Sequence, residues 1–264
     1  MPSPGPRHYV FYAEANFLTA HVDGALPHVI PEQGFQRLPI YGGNQNSPKT
    51  PFAEAGVVSV GQGYTSVSGS SSAGGWTTIV SSAVDDLNIA GVITADHVAA
   101  QITTIYPLAG NVPTVSFPGT KFVNLKIQGK PVIPVLNLNM CSPKPPGDAP
   151  YISDAGLLAR AQAEYQLIAT SAAPPNVAGQ FAGWSQAVVQ SRGKVDCSLA
   201  TAVQGIAGMA FGHVVVIPGV ANVYLAELAV GNHIELTMIR VELTSLGKTQ
   251  VRTVTVDTQG HGMP

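Results

Sequence analysis

Runs in which every second residue is branched or aromatic recur along this 264-residue chain, and they constrain its fold more than any other feature. In "AGVVSVGQGYTSVSG" the set Val57, Val60, Tyr64 and Val67 is interleaved with small polar residues. Successive strand residues point to opposite faces, so this period of two builds a sheet with one apolar side. Residues 76–102 repeat the pattern over two strands, with a turn expected near Ala90-Gly91. In "KFVNLKIQGKPV", Val123, Leu125 and Ile127 alternate with Asn124, Lys126 and Gln128 before a turn at Gly129-Lys130. A second hairpin signal, Gly231-Asn232, lies between two alternating runs. In its second arm the inward set runs Ile234, Leu236, Met238 and then Ile239, Val241, Leu243. That phase change predicts a β-bulge at 238/239.

Composition points the same way. Only 11% of residues are charged, far below the roughly one quarter usual in globular domains. Surface helices rely on Lys and Glu, so an α-rich fold is disfavoured. One exception is "ISDAGLLARAQAEYQLIAT". There Ser153 or Asp154 can cap a helix whose apolar face is Leu157, Leu158, Ala161, Tyr165 and Ile168. The expected fold is all-β: an antiparallel β-sandwich with long Pro/Gly-rich loops and one inserted helix, with a β-solenoid as the alternative. Residues 1–7 read as a disordered leader and 8–257 as a single domain with the helical insert at about 143–183. Residues 258–264 read as a frayed tail. The five prolines between Pro27 and Pro51 predict an extended, loop-like run.

A net charge of −2 without a basic stripe argues against nucleic-acid binding, which depends on phosphate neutralisation. No apolar run approaches the roughly 20 residues that span a bilayer, so no membrane span is expected. A basic segment followed by an apolar one is absent from "MPSPGPRHYVFY", so no signal peptide is visible. The low charge and abundant Ser, Thr and Gly nevertheless favour an extracellular or cell-surface protein. On that premise Cys141 and Cys197 are expected to form a disulfide, worth about 4 kcal/mol in the chain-entropy view.

Several runs in this order resemble the choice-of-anchor P family of exported bacterial proteins. They are "YAEANFLTAHVDGALPHVIP", "GVVSVGQGYTSVSG", "SSAVDDLNIAGVITADHVAAQ", "NLKIQGKPV", "HVVVIPGVANVYLAEL" and "IELTMIRVEL". The resemblance spans most of 8–140 and 186–257 and does not reach 143–183. It implies export, an all-β domain, and deposition or attachment outside the cell. It implies no catalytic residues.

Asp85, Asp86, Asp96 and His97 are expected to be a solvated face, because strand neighbours point apart and a calcium loop is missing. "GWSQA", 183–187, approaches a nucleophile elbow with Ser185, and Asp196 or Asp257 with His213, His233 or His261 would complete a triad. That elbow needs a strand–turn–helix context, which this pattern lacks. His213, His233, Glu227 and Glu235 have no metal-ligand spacing, and no metal or cofactor is expected. The aromatics Tyr9, Phe11, Tyr12, Phe17, Phe35, Tyr41, Phe52 and Tyr64 concentrate near the N-terminus, as core or as an exposed platform.

The function expected from these readings is a non-enzymatic extracellular structural protein. It would form a homo-oligomer or homopolymer, such as a surface assembly or filament, by donating residues 1–22, with Tyr9, Phe11, Tyr12 and Phe17 at the contact. The alternatives are a secreted glycan- or ligand-binding module, with an extracellular polysaccharide as partner, and a serine hydrolase using Ser185.

Overall fold

The computed structural model describes residues 9–23, 26–170, 193–244, 246–247 and 249–259. Among these residues the chain forms two nine-stranded antiparallel sheets and a two-stranded one. The front sheet holds β1 (Ala13–Val22), β2 (His28–Gln33), β3 (Gln36–Arg37), β14 (Val195–Ser198), β16 (Ala210–Phe211), β17 (Val214–Ile217), β18 (Ala221–Val230), β19 (His233–Leu243) and β20 (Thr249–Gln259). The back sheet holds β4 (Gly43–Asn46), β5 (Thr50–Glu54), β6 (Val58–Ser72), β7 (Gly75–Ile89), β8 (Ile93–Tyr106), β9 (Thr114–Ser116), β10 (Lys121–Val123), β11 (Lys126–Ile127) and β12 (Lys130–Pro131). β13 (Ile133–Leu136) pairs with β15 (Ala200–Gln204). One helix, α1 (Ala155–Thr170), completes the list. The chain is an all-β sandwich, as the alternation implies, and none of its sheets closes into a solenoid.

Both sheets are antiparallel, and the expected turns explain why. Ala90 and Gly91 both adopt positive φ between β7 and β8, and Asn88 Oδ1 accepts the Gly91 N–H at 2.8 Å. The β11–β12 hairpin turns on Gln128-Gly129, one residue earlier than expected. Both central residues have positive φ, as a type I′ turn requires. β20 continues to Gln259, two residues past the end of the domain expected at 257. The proline-broken region is partly strand: it supplies β2, β3 and β4, all lying at sheet margins. Pro31 sits in edge strand β2, where a missing N–H breaks no ladder.

The phase change expected at 238/239 is real, but its cause is not a bulge. The β18–β19 and β19–β20 registers run unshifted from end to end. Instead, Ala226 and Val254 adopt left-handed φ of 53° and 56° on either side of Met238. Four strands invert their facing along one transverse row. Phe17-Leu18, Leu225-Ala226, Met238-Ile239 and Thr253-Val254 are all consecutive pairs buried in the core. Two successive inward residues in each strand leave a matching gap on the outer face.

The back sheet inverts in the opposite sense. Asp86 takes φ 53°, and the pairs Gly61-Gln62, Asp85-Asp86 and Asp96-His97 all turn toward solvent. Their inward flanks, Val60/Gly63, Val84/Leu87 and Ala95/Val98, are spaced three apart and open a gap toward the core. Phe17 of the front sheet fills that gap, its ring lying over Gly63 and Gly34. A β-carbon at Gly63 would fall inside the ring's van der Waals envelope, so glycine is required there. The doubled row of one sheet is thereby seated in the vacancy of the other.

α1 begins where Asp154 Oδ1 accepts the Leu157 N–H at 2.6 Å, the cap read from the sequence. Its buried residues are Leu157, Ala161, Glu164 and Ile168. Leu158 and Tyr165 are partly buried against the two cores, and Glu164 joins the expected face. Ile168 packs with Val214, Val216 and Tyr224 in a small second core on the outer side of the front sheet.

Two stability outcomes follow. Gly63→Ala overpacks the contact with Phe17 and should lower the denaturant-unfolding free energy by about 1–3 kcal/mol. Ala226→Gly relieves a left-handed alanine and should cost nothing. The same change at Ala15, a buried β1 residue, should cost about 1 kcal/mol in the same assay.

Candidate functional site: a groove across the outer face of the front sheet

The inversion row leaves a groove of about 280 Å³ across the outer face of the front sheet. One bank is the row Thr255–Thr237–Glu227, and the other is Arg252–Arg240–Tyr224, each row joined by cross-strand pairing. Lys194, Asp196, Ala229 and Glu235 extend the lining, with Lys194 Nζ 2.9 Å from Asp196 Oδ1.

Arg240 bridges the banks at the β18 end. Its Nε and Nη2 donate to both Glu227 carboxylate oxygens at 2.6 and 2.7 Å, and Nη1 donates to Glu242 at 2.6 Å. The guanidinium lies 3.5 Å from the Tyr224 ring centroid, and the Tyr224 hydroxyl donates to Glu242 at 2.9 Å. Burial works against the Arg240 charge, but the hydrogen bonds and charge of Glu227 outweigh it and hold the guanidinium above its ordinary range. Tyr224 also packs against Ile168, so α1 forms the wall behind this end of the groove. Toward β20 the groove is open, with the Thr237 and Thr255 hydroxyls 3.2 Å apart and Arg252 exposed.

Beyond the first bank lies a row of acids. Cross-strand pairing aligns Glu14, Asp257, Glu235, Ala229 and Asp196 across four neighbouring strands and β14. Arg37 neutralises Glu14 at 3.1 Å. Asp257 accepts the Tyr12 hydroxyl at 3.1 Å and lies 3.5 Å from His233 Nδ1. Burial pushes its carboxyl up to about 7. The Tyr12 bond opposes that rise, and the charges of Glu235 and Glu14 add to it.

The remaining sequence candidates scatter. Asp85, Asp86, Asp96 and His97 do share the outer face of the back sheet, because the left-handed Asp86 defeats strict alternation. Asp85 lies 2.6 Å from His97 Nδ1, and Asp96 accepts from Asn124 at 2.6 Å. His213 is wholly buried with its Nδ1 2.5 Å from Glu164, whose other oxygen accepts the Ser198 N–H at 2.8 Å. No periodicity argument singled out Glu164, because a lone acid within an apolar helix face carries no pattern. His213, His233 and Glu227 thus serve separate partners, and Glu235 lines the groove. Among the described residues no group of three or more His, Cys, Asp or Glu is placed to hold a metal ion. Ser185, Trp184, His261 and the leader lie outside the described residues.

The expected disulfide is absent: Cys141 and Cys197 are separate buried thiols in the main core. Burial pushes Cys141 up to about 12 and Cys197 well above its ordinary value, which leaves both protonated and inert. Phe11 and Phe17 are 5% and 1% exposed, Tyr9 stacks on Trp76 with 5.1 Å between centroids, and Tyr12 is tied to Asp257. β1 itself lies between β20 and the pair β2 and β3 within its own sheet. No helix among the described residues is long and apolar enough to cross a membrane.

The raised Asp257 value sets a pH dependence. The folded value exceeds the ordinary one near 3.9, so the native state binds the proton more tightly than the unfolded chain. Its stabilisation is fully present below about pH 4 and is lost as pH rises through about 7. Asp257→Asn should flatten the parent's decline in melting temperature between pH 4 and pH 7, as followed by circular dichroism.

No curated protein and no solved structure matches the chain. A family described as a domain of unknown function, DUF8256, matches residues 9–231, a span that takes in both sheets through the β18 bank of the groove. The chain belongs to the DUF8256 family.

Proposed function

We propose that this protein is a non-enzymatic binding module and that the groove over the front-sheet inversion row takes a glycan. The observation that carries this reading is the groove's lining. The Glu235 carboxylate, the Thr237 hydroxyl and the exposed Arg252 line it beside an Arg240 locked in place by three hydrogen bonds. Carboxylate, hydroxyl and guanidinium groups hydrogen-bond ligand hydroxyls, and a wall fixed beforehand removes part of the ordering cost of binding. The surrounding sheet is rigid, and specificity in such sites comes from a few fixed polar groups. Extracellular or cell-surface placement belongs to the proposal and rests on the low charge and the resemblance to choice-of-anchor P proteins. The unbonded cysteines lend it nothing.

The strand-donation reading draws no support from the placement of β1, which is enclosed on both edges by its own chain. Donation would have to open its ladder with β20 and expose Phe11 and Phe17.

Isothermal titration calorimetry of the full chain against neutral and acidic oligosaccharides tests the proposal. At least one class should bind. Glu235→Gln and Thr237→Val should each weaken that binding about tenfold, a loss of about 1.4 kcal/mol, with the melting temperature held. Absence of any sugar binding at millimolar concentration, or parental affinity in both variants, overturns it.

A further inference from the structure

The geometry points to a carboxylate-bearing sugar, a uronic acid, as the groove's preferred ligand, with Arg252 as the residue that selects it. This inference rests on the glycan reading of the groove. Three cations line the groove, and two are already neutralised. Arg240 is held by Glu227 and Glu242, and Lys194 by Asp196. Arg252 is exposed, and among the described residues it has no ion-pair partner. Arg252 lines the groove together with Thr237, whose hydroxyl a pyranose ring would face.

Two further features make that position the anchor for an anion. Cross-strand pairing sets Arg252 directly opposite Arg240, whose own charge is already met by Glu227 and Glu242. Arg240 cannot serve as the anchor instead. Its fork is consumed by two glutamates and one of its faces is covered by Tyr224. Glu235 lies on the opposite bank, backed by Asp257 in the acidic row, and repels a ligand carboxylate from that side. The ligand's charge is therefore steered to the Arg252 end and its neutral hydroxyls toward Thr237 and Glu235. A carboxylate suits an arginine because the planar fork meets it through two parallel hydrogen bonds.

The test compares an oligogalacturonate with its fully methyl-esterified form, which keeps the sugar backbone and removes the charge. Binding to the parent, Arg252→Gln and Arg252→Lys is measured by calorimetry at low and high salt. Arg252 is exposed, so folding should be unaffected; the melting temperature checks this. The parent should bind the acid at least tenfold more tightly than the ester, with a preference that shrinks in high salt. Arg252→Gln should bind both alike, and Arg252→Lys should retain part of the preference. Equal binding of acid and ester by the parent, or an undiminished preference in Arg252→Gln, overturns the inference and leaves the glycan reading standing. Failure of both sugars, and of all others tried, removes the glycan reading itself.

Discussion

The seating of one sheet's doubled inward row in the other sheet's vacancy is the contact on which the rest of the molecule depends. Strict alternation over strands of ten to fifteen residues would give two flat apolar faces with no feature to fix their relative position. The inversion provides a key and a slot. Phe17 over Gly63 sets how the sheets register along the strands, because interiors at crystal-like density tolerate no sliding of an aromatic ring across a backbone. The cost is two left-handed residues, one of them the β-branched Val254, between strands whose ladders run without a register shift.

The same inversion links packing to function. Turning two residues inward on each strand removes side chains from the outer face, so the groove is the outer image of the core's best-packed line. Its banks are held by paired strands rather than loops. That is why Arg240 can be fixed to Glu227 across the gap with bond lengths of 2.6 and 2.7 Å. Helix α1 contributes from behind, and its buried Glu164 ties it to His213 and to the β14 backbone. Removing either partner of that pair would strand a desolvated charge, which makes the helix part of the sheet rather than an appendage.

Much of the scaffold is written in the sequence because hydrophobic period and turn residues act locally. The β7–β8 hairpin and the Asp154 cap are examples. The inversion at Met238-Ile239 was visible too, as two consecutive inward residues. Its mechanism was not, since neither Ala226 nor Val254 belongs to a residue type that announces a positive φ. The same blindness led alternation to place Asp85 and Asp86 on opposite faces. The groove was illegible for a related reason: Glu227, Thr237, Arg240 and Arg252 meet only through the register of three strands. The cysteine pairing failed because it was inferred from compartment, whereas the fold seats the two thiols in the main core without bonding them. The edges hid within a proline-rich run whose short strands have too few residues to show a period.

Those margins shape how the molecule meets its neighbours. The back sheet ends on one side in β9 to β12, fragments of two or three residues that carry exposed Lys121, Lys126 and Lys130. The front sheet ends on one side in a strand interrupted by Pro31. Neither perimeter offers an unbroken run of amide donors and carbonyls to a stranger, and each lysine adds repulsion between identical copies. A protein with so much strand and so little charge would otherwise invite fibril growth. Here the ragged borders leave the two broad faces as the larger continuous surfaces of the sheets.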